Sequence, residues 1–158
     1  MKSTIWTFLL LLVQSALLAQ ADSLKPGLSR AKLYLADLGK IVSPNGIQEN
    51  FQLPVGGINQ EIYTRGQDRD NPVVLFIHGG PASPISPVMW MYQRPLEEYF
   101  TMVTYDQRGA GRTFLNIDPD SIANTIHIDN YVNDAIAVAE HILQRYHKKK
   151  IILVGHSW

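Results

Sequence analysis

The chain has no cysteine among its 158 residues. That absence excludes disulfide staples, a thiolate nucleophile and cysteine-based zinc sites together. An excess of either charge is missing too, because 14 Lys and Arg balance 14 Asp and Glu. Such neutrality offers no electrostatic footprint for nucleic acid or an anionic membrane surface. Internal repeats and low-complexity tracts are absent, and no apolar run reaches the ~20 residues that span a bilayer. What is present is 46% hydrophobic content, enough for the core of one ordinary domain.

The first residues form a separate object. Lys2 precedes an apolar stretch from Ile5 to Val13, broken only by Thr7, and Ala19-Gln20-Ala21 has the small-x-small pattern of a cleavage site. Residues 1–21 are therefore expected to be a signal peptide, with an uncleaved N-terminal anchor as the alternative. Cleavage would leave a secreted or periplasmic protein with no stable membrane insertion. Without disulfides, its stability must come from a core. Residues 22–45 carry a weak helical pattern through Leu28, Ala31, Leu35 and Leu38 and are expected to form an N-terminal extension.

From Gly46 the texture changes to strands. Ile47 to Val55 and Gln60 to Arg65 flank Gly56-Gly57, as in a hairpin. Val73 to Ile77 is apolar throughout, the mark of a strand buried on both faces, and Ile151 to Val154 reads the same way. Thr101 to Tyr105 is another strand, after a helix around Val88 to Phe100 that Pro95 interrupts. Residues 128 to 147 hold the best helix, with an apolar stripe running from Ile128 through Val132, Ile136 and Ala139 to Tyr146. Asp129 is expected to cap its start, and Lys148 to Lys150 to form a solvated end. Two antiparallel strands, then strand, helix, strand, helix, strand, predict an α/β sheet that becomes parallel.

Three motifs follow predicted strands, where open α/β sheets place their sites. They are His78-Gly79-Gly80-Pro81, then Tyr105-Asp106-Gln107-Arg108-Gly109-Ala110-Gly111-Arg112, then Gly155-His156-Ser157-Trp158. Each is weak alone. Gly109-x-Gly111 lacks the third glycine of a dinucleotide loop, and Gly-x-Ser is common. In this order, residues 46–158 resemble the α/β-hydrolase fold, and more narrowly its prolyl aminopeptidase (proline iminopeptidase) branch. That branch reads His-Gly-Gly-Pro-Gly, Asp-Gln-Arg-Gly-x-Gly-Arg-Ser and Gly-Gly-Ser-Trp-Gly. This chain departs from it at Ala82, Thr113 and His156.

The resemblance implies Ser157 as nucleophile on a sharp strand-to-helix turn. It implies an oxyanion hole from the Trp158 N–H and one N–H of the loop, with Gly79 and Gly80 both candidates. A serine there argues against dehalogenases and epoxide hydrolases, which the resemblance would give an aspartate. His78, Asp106 and Arg108 are expected to support the loops. His127, His141 and His147 are expected to be solvated, and His156 to point away from Ser157. The triad order Ser, acid, His puts both partners beyond Trp158. The chain is thus expected to be the N-terminal half of a mostly parallel sheet, truncated at the nucleophile elbow, with its last strand left as an exposed apolar edge, and inactive by itself. The implied parent is a secreted serine hydrolase for a small peptide or ester, aminopeptidase-like, needing no cofactor or metal. An esterase or lipase-like hydrolase, or a non-catalytic truncated product, is the alternative.

Overall fold

Two glycines decide how the sheet begins. Gly56 and Gly57 have φ of 58° and 81°, the left-handed region that a two-residue hairpin turn needs and that glycine enters at no steric cost. The computed structural model describes residues 30–80 and 83–157. In it this turn joins β1 (Ile47–Val55) to β2 (Ile58–Gly66), with Val55 opposite Ile58. The chain divides between Lys40 and Ile41 into two compact units. The described part of the first is helix α1 at residues 30–38 and the turn after it. The expected signal peptide, Pro81, Ala82 and Trp158 lie outside the described residues.

The second unit continues with β3 (Val73–Ile77), α2 (Ser86–Gln93), β4 (Thr101–Asp106), α3 (Gly111–Leu115), α4 (Pro119–Ile122), α5 (Ile128–Arg145) and β5 (Ile152–Gly155). The strand order is β1-β2-β4-β3-β5. The first two ladders are antiparallel, and β4–β3 and β3–β5 are parallel. That is the expected change of direction along the sheet.

The side-chain period of two builds the layers. Val73 and Leu75 of β3 join Val103, Tyr105, Val138 and Ile142 in a core against α5. Val74 joins Met89 and Met102 in a second core against α2. A strand sandwiched this way has no polar face to offer, which is why Val73 to Ile77 is apolar throughout. At the edge, β1 buries Leu53 and Val55 and exposes Gln52 and Pro54, and an edge position is where a strand tolerates proline. Helix α2 has Pro87 in its first turn, and at Pro95 the chain tightens into a 3₁₀ turn, Arg94–Leu96. The interruption falls at the expected residue.

Four expectations are corrected. Asp129 does not cap α5: His127 holds the N-cap position without a side-chain cap bond, and Asp129 lies in the first turn, facing the positive end of the helix dipole. The buried face of α5 is Asp134, Val138 and Ile142, while Ile128, Val132 and Ile136 are about half exposed. The apolar stripe is wider than the sheet beneath it. The run of β5 reads as buried on both faces, yet the strand is exposed along its length. It is the apolar edge expected of the half sheet, because it is outermost and pairs only with β3 among the described residues. Apolar cavities of about 390 and 470 Å³ flank it, on the α5 and α2 sides respectively.

The fourth correction is His141, which is half-buried rather than solvated. Its ring centroid lies 5.9 Å from that of Phe51, and its Nε2 is buried with no hydrogen-bond partner. Burial, helped by the charge of Arg145, lowers its pKa below the ordinary 6.5. As pH falls past that value the unfolded chain takes a proton before the folded one does. Stability that is complete above the unfolded pKa is therefore lost as pH falls toward the folded pKa. His141→Phe keeps a ring and removes the proton site, so its urea midpoint should decline less than the parent's between pH 7.5 and 5.5. An equal decline in both proteins would rule His141 out as the source.

Candidate active site

Strands β4, β3 and β5 lie side by side and parallel, so the three motifs that follow them emerge at one edge of the sheet. β3 is the middle strand, and its loop touches both others. On one side the His156 N–H donates to the Ile77 carbonyl at 3.1 Å, which carries the β3–β5 ladder to within one residue of the serine. The backbone then enters the left-handed region at Ser157, whose φ is 57°. For a residue with a Cβ that conformation costs ~1–3 kcal/mol and persists where the surroundings enforce it.

Gly79 is part of that enforcement. A Cβ at this position would lie 2.5 Å from the His156 carbonyl oxygen and 2.7 Å from the Ser157 Cβ. The β3 loop and the serine turn thus meet at a spacing only glycine allows. A cavity of about 240 Å³ opens there, lined by His78, Gly79, Gly80, His156 and Ser157 among others. His156, expected to point elsewhere, lines the same cavity as the serine.

On the other side the loop is tied to the β4 motif. The Gln107 side chain donates to the His78 carbonyl at 2.7 Å, and the Gln107 backbone N–H donates to His78 Nε2 at 3.2 Å. An accepting Nε2 places the proton on Nδ1, which lies 2.6 Å from the Gly79 carbonyl. Asp106 holds the far end of the same loop: its carboxylate accepts from Ser86 Oγ at 2.5 Å, Tyr63 Oη at 2.9 Å and the Arg112 N–H at 2.8 Å. Burial and the Asp106 charge both raise the Tyr63 pKa, so its hydroxyl keeps its proton and donates. Gly111 has φ of 50°, and a side chain there would collide with the Asp106 carboxylate.

Arg108 turns the opposite way. Its guanidinium makes two bonds to Asp134 of α5, at 2.7 and 2.9 Å, and reaches the carbonyls of Gly56 and Thr125. Gln60 adds a third bond to Asp134 at 2.6 Å, and the Tyr131 hydroxyl donates to the Arg108 carbonyl at 3.1 Å. The arginine and aspartate side chains are 2% and 4% exposed. Asp134, Gln107, Gln60 and Ser86 were missed by sequence reasoning. For Asp134 there was a signal, an acid on the face of α5 that otherwise carries Val138 and Ile142. Among the described residues no group of three or more His, Cys, Asp or Glu could hold a metal.

The family model described as the alpha/beta hydrolase fold matches residues 72–158. The chain is 37% identical to the probable aminopeptidase YbaC of Bacillus subtilis over 107 residues, covering 68% of this chain and 33% of that protein. It is 31% identical to the proline iminopeptidase of Neisseria gonorrhoeae over 106 residues, covering 67% and 31%. An epoxide hydrolase from Vigna radiata superimposes with a TM-score of 0.54 at 29% identity, over 70% of this chain and 32% of that one. A proline iminopeptidase-related protein from Thermus thermophilus shares the fold, with a TM-score of 0.56 at 24% identity over 70% and 36%. The chain spans about a third of the length of the curated relatives it matches.

Two substitutions test the geometry. Asp134→Ala strands the Arg108 guanidinium in the interior and should cost about 3–5 kcal/mol in urea unfolding; a loss under about 1 kcal/mol would refute the buried clamp. Gly79→Ala forces a methyl group onto the serine turn and should cost about 1–3 kcal/mol. An unchanged melting temperature would show that the two segments do not meet.

Proposed function

Because the chain belongs to the alpha/beta hydrolase fold family, we propose that it carries the nucleophile of a secreted serine hydrolase acting on amide or ester bonds. The observation that carries this reading is Ser157 itself, in a left-handed turn at the end of a parallel strand and packed on Gly79. Such a turn lifts a hydroxyl clear of the sheet, toward the cavity it lines with His78 and Gly80.

The Ser157 oxygen attacks a carbonyl carbon while a histidine takes its proton. The oxyanion that forms is met by the Trp158 N–H and by one from Gly79 or Gly80. The histidine and its acid come from the part of the relatives' length that this chain does not span. The 158-residue chain alone is then inactive. The relatives named as aminopeptidase and proline iminopeptidase favour a small peptide with N-terminal proline or a similar residue, and an ester is opened by the same steps. Lys2, the Ile5–Val13 stretch and Ala19-Gln20-Ala21 support export to the periplasm or medium.

The epoxide hydrolases among the structural neighbours suggest a second reading, and chemistry weighs against it. A carboxylate that opens an epoxide leaves an ester, which water cleaves. A serine that does so leaves an ether, which water does not, so one turnover would end the reaction.

The test is a fusion of this chain to the part of the Bacillus relative that follows the matched third. It should be labelled by a fluorophosphonate and should hydrolyse proline p-nitroanilide or a p-nitrophenyl ester, but not styrene oxide. Ser157→Ala should abolish labelling and lower kcat by at least about 10³-fold. Labelling that survives Ser157→Ala would sink the assignment.

A further inference from the structure

Both loop amides that could meet an oxyanion belong to peptide groups whose carbonyls are already held. In a trans peptide the N–H and C=O point in opposite directions, so capturing one aims the other. The peptide that carries the Gly79 N–H has its carbonyl, His78 O, held by the Gln107 side chain at 2.7 Å. The next peptide carries the Gly80 N–H, and its carbonyl, Gly79 O, lies 2.6 Å from His78 Nδ1. The His78 ring is itself oriented by the Gln107 backbone N–H at 3.2 Å from Nε2. Neither glycine amide donates to another described residue. His78 and Gln107 are buried, at 3% and 6% exposure, so water does not compete for these bonds.

We propose that Gln107 is a positioning residue for the oxyanion-binding amides. It sets the Gly79 peptide directly and the Gly80 peptide through the His78 ring. This rests on the serine-hydrolase reading of the same site and deepens it. The residue type is demanded by the geometry: the position needs a neutral donor on a side chain long enough to reach the His78 carbonyl. Glutamate would repel that carbonyl, and methionine would fill the space without donating. The bond matters most when charge develops on the substrate oxygen, because only then does the aim of the amides decide the energy. Gln107 touches no reacting atom; it acts through the loop.

The experiment compares Gln107→Met with Gln93→Met in the fusion described above. Gln93 is also a buried glutamine, donating to Glu97 at 3.0 Å, but it lies on α2 outside the three motifs. Each variant loses one buried side-chain hydrogen bond, so stability should fall similarly in both. Gln107→Met should lower kcat by about 10- to 100-fold, less than deleting an oxyanion donor outright, with KM within about twofold. The Gly79 amide resonance should also move, and that of Gly80 should move less, because methionine keeps the backbone N–H that orients the His78 ring. Gln93→Met should change neither kcat nor those resonances. A Gln107→Met enzyme with parental kcat, an equal kcat loss in Gln93→Met, or unmoved Gly79 and Gly80 resonances would each overturn the proposal. A parent fusion that fluorophosphonate does not label would bring down the serine reading first, before any Gln107 variant is made.

Discussion

The site depends on one close approach, the backbone of Gly79 against the turn at Ser157. A serine at φ of 57° does not hold itself there. Strain of ~1–3 kcal/mol has to be offset by contacts that a relaxed turn would lose. The β3–β5 ladder supplies them up to the His156–Ile77 bond, and Gly79 closes against the turn from the other side. Both contacts come from β3, the strand buried between two helical layers, and the loop that follows it. A strand packed on both faces thus braces a strained residue.

Three consecutive residues at the end of β4 distribute that bracing. Asp106 binds β2 through Tyr63, α2 through Ser86 and the start of α3 through Arg112. Gln107 binds the β3 loop at His78. Arg108 binds α5 through Asp134 and the hairpin through the Gly56 carbonyl. Side chains alternate in direction along an extended chain, so neighbours in sequence reach different neighbours in space. The bonds of Gln107 and the Arg108–Asp134 pair are buried and the others are part-buried, so leaving a buried one unmade would cost the full desolvation of the group concerned. The loop after β3, the helices α2, α3 and α5 and the hairpin turn are therefore all tied to one short segment.

The elements of the sheet were legible because their burial is simple. A strand covered on both faces must be apolar throughout, as Val73 to Ile77 is, and Gly56-Gly57 between alternating strands leaves little but a hairpin. What escaped notice is polar and nonlocal. Asp134 on an amphipathic helix has the ordinary look of a solvated acid, and its partner Arg108 is 26 residues away. Gln107 carries no charge, and nothing in its neighbours reveals that a carbonyl 29 residues earlier needs a donor. The exposed half of the α5 stripe was misread for a different reason. Hydrophobicity reports what a face could bury, and burial requires a partner to cover it.

The departures from the prolyl aminopeptidase pattern also become physical at this level. Thr113 stands where that pattern has serine, yet its hydroxyl accepts from the Glu61 N–H at 2.9 Å and donates to the Asp106 carbonyl at 2.6 Å. The bond set needs an oxygen at that point, and either residue provides one. His156 stands where the pattern has glycine, and its side chain is exposed beside the cavity, so the extra ring displaces nothing from the core. Gly79 and Gly111 admit no such exchange, since a Cβ at either would strike the serine turn or the Asp106 carboxylate. The motif is thus better described by its bonds and close approaches than by its letters. Positions that supply a donor, an acceptor or the absence of a Cβ are restricted by those contacts, and an exposed side chain such as that of His156 is not.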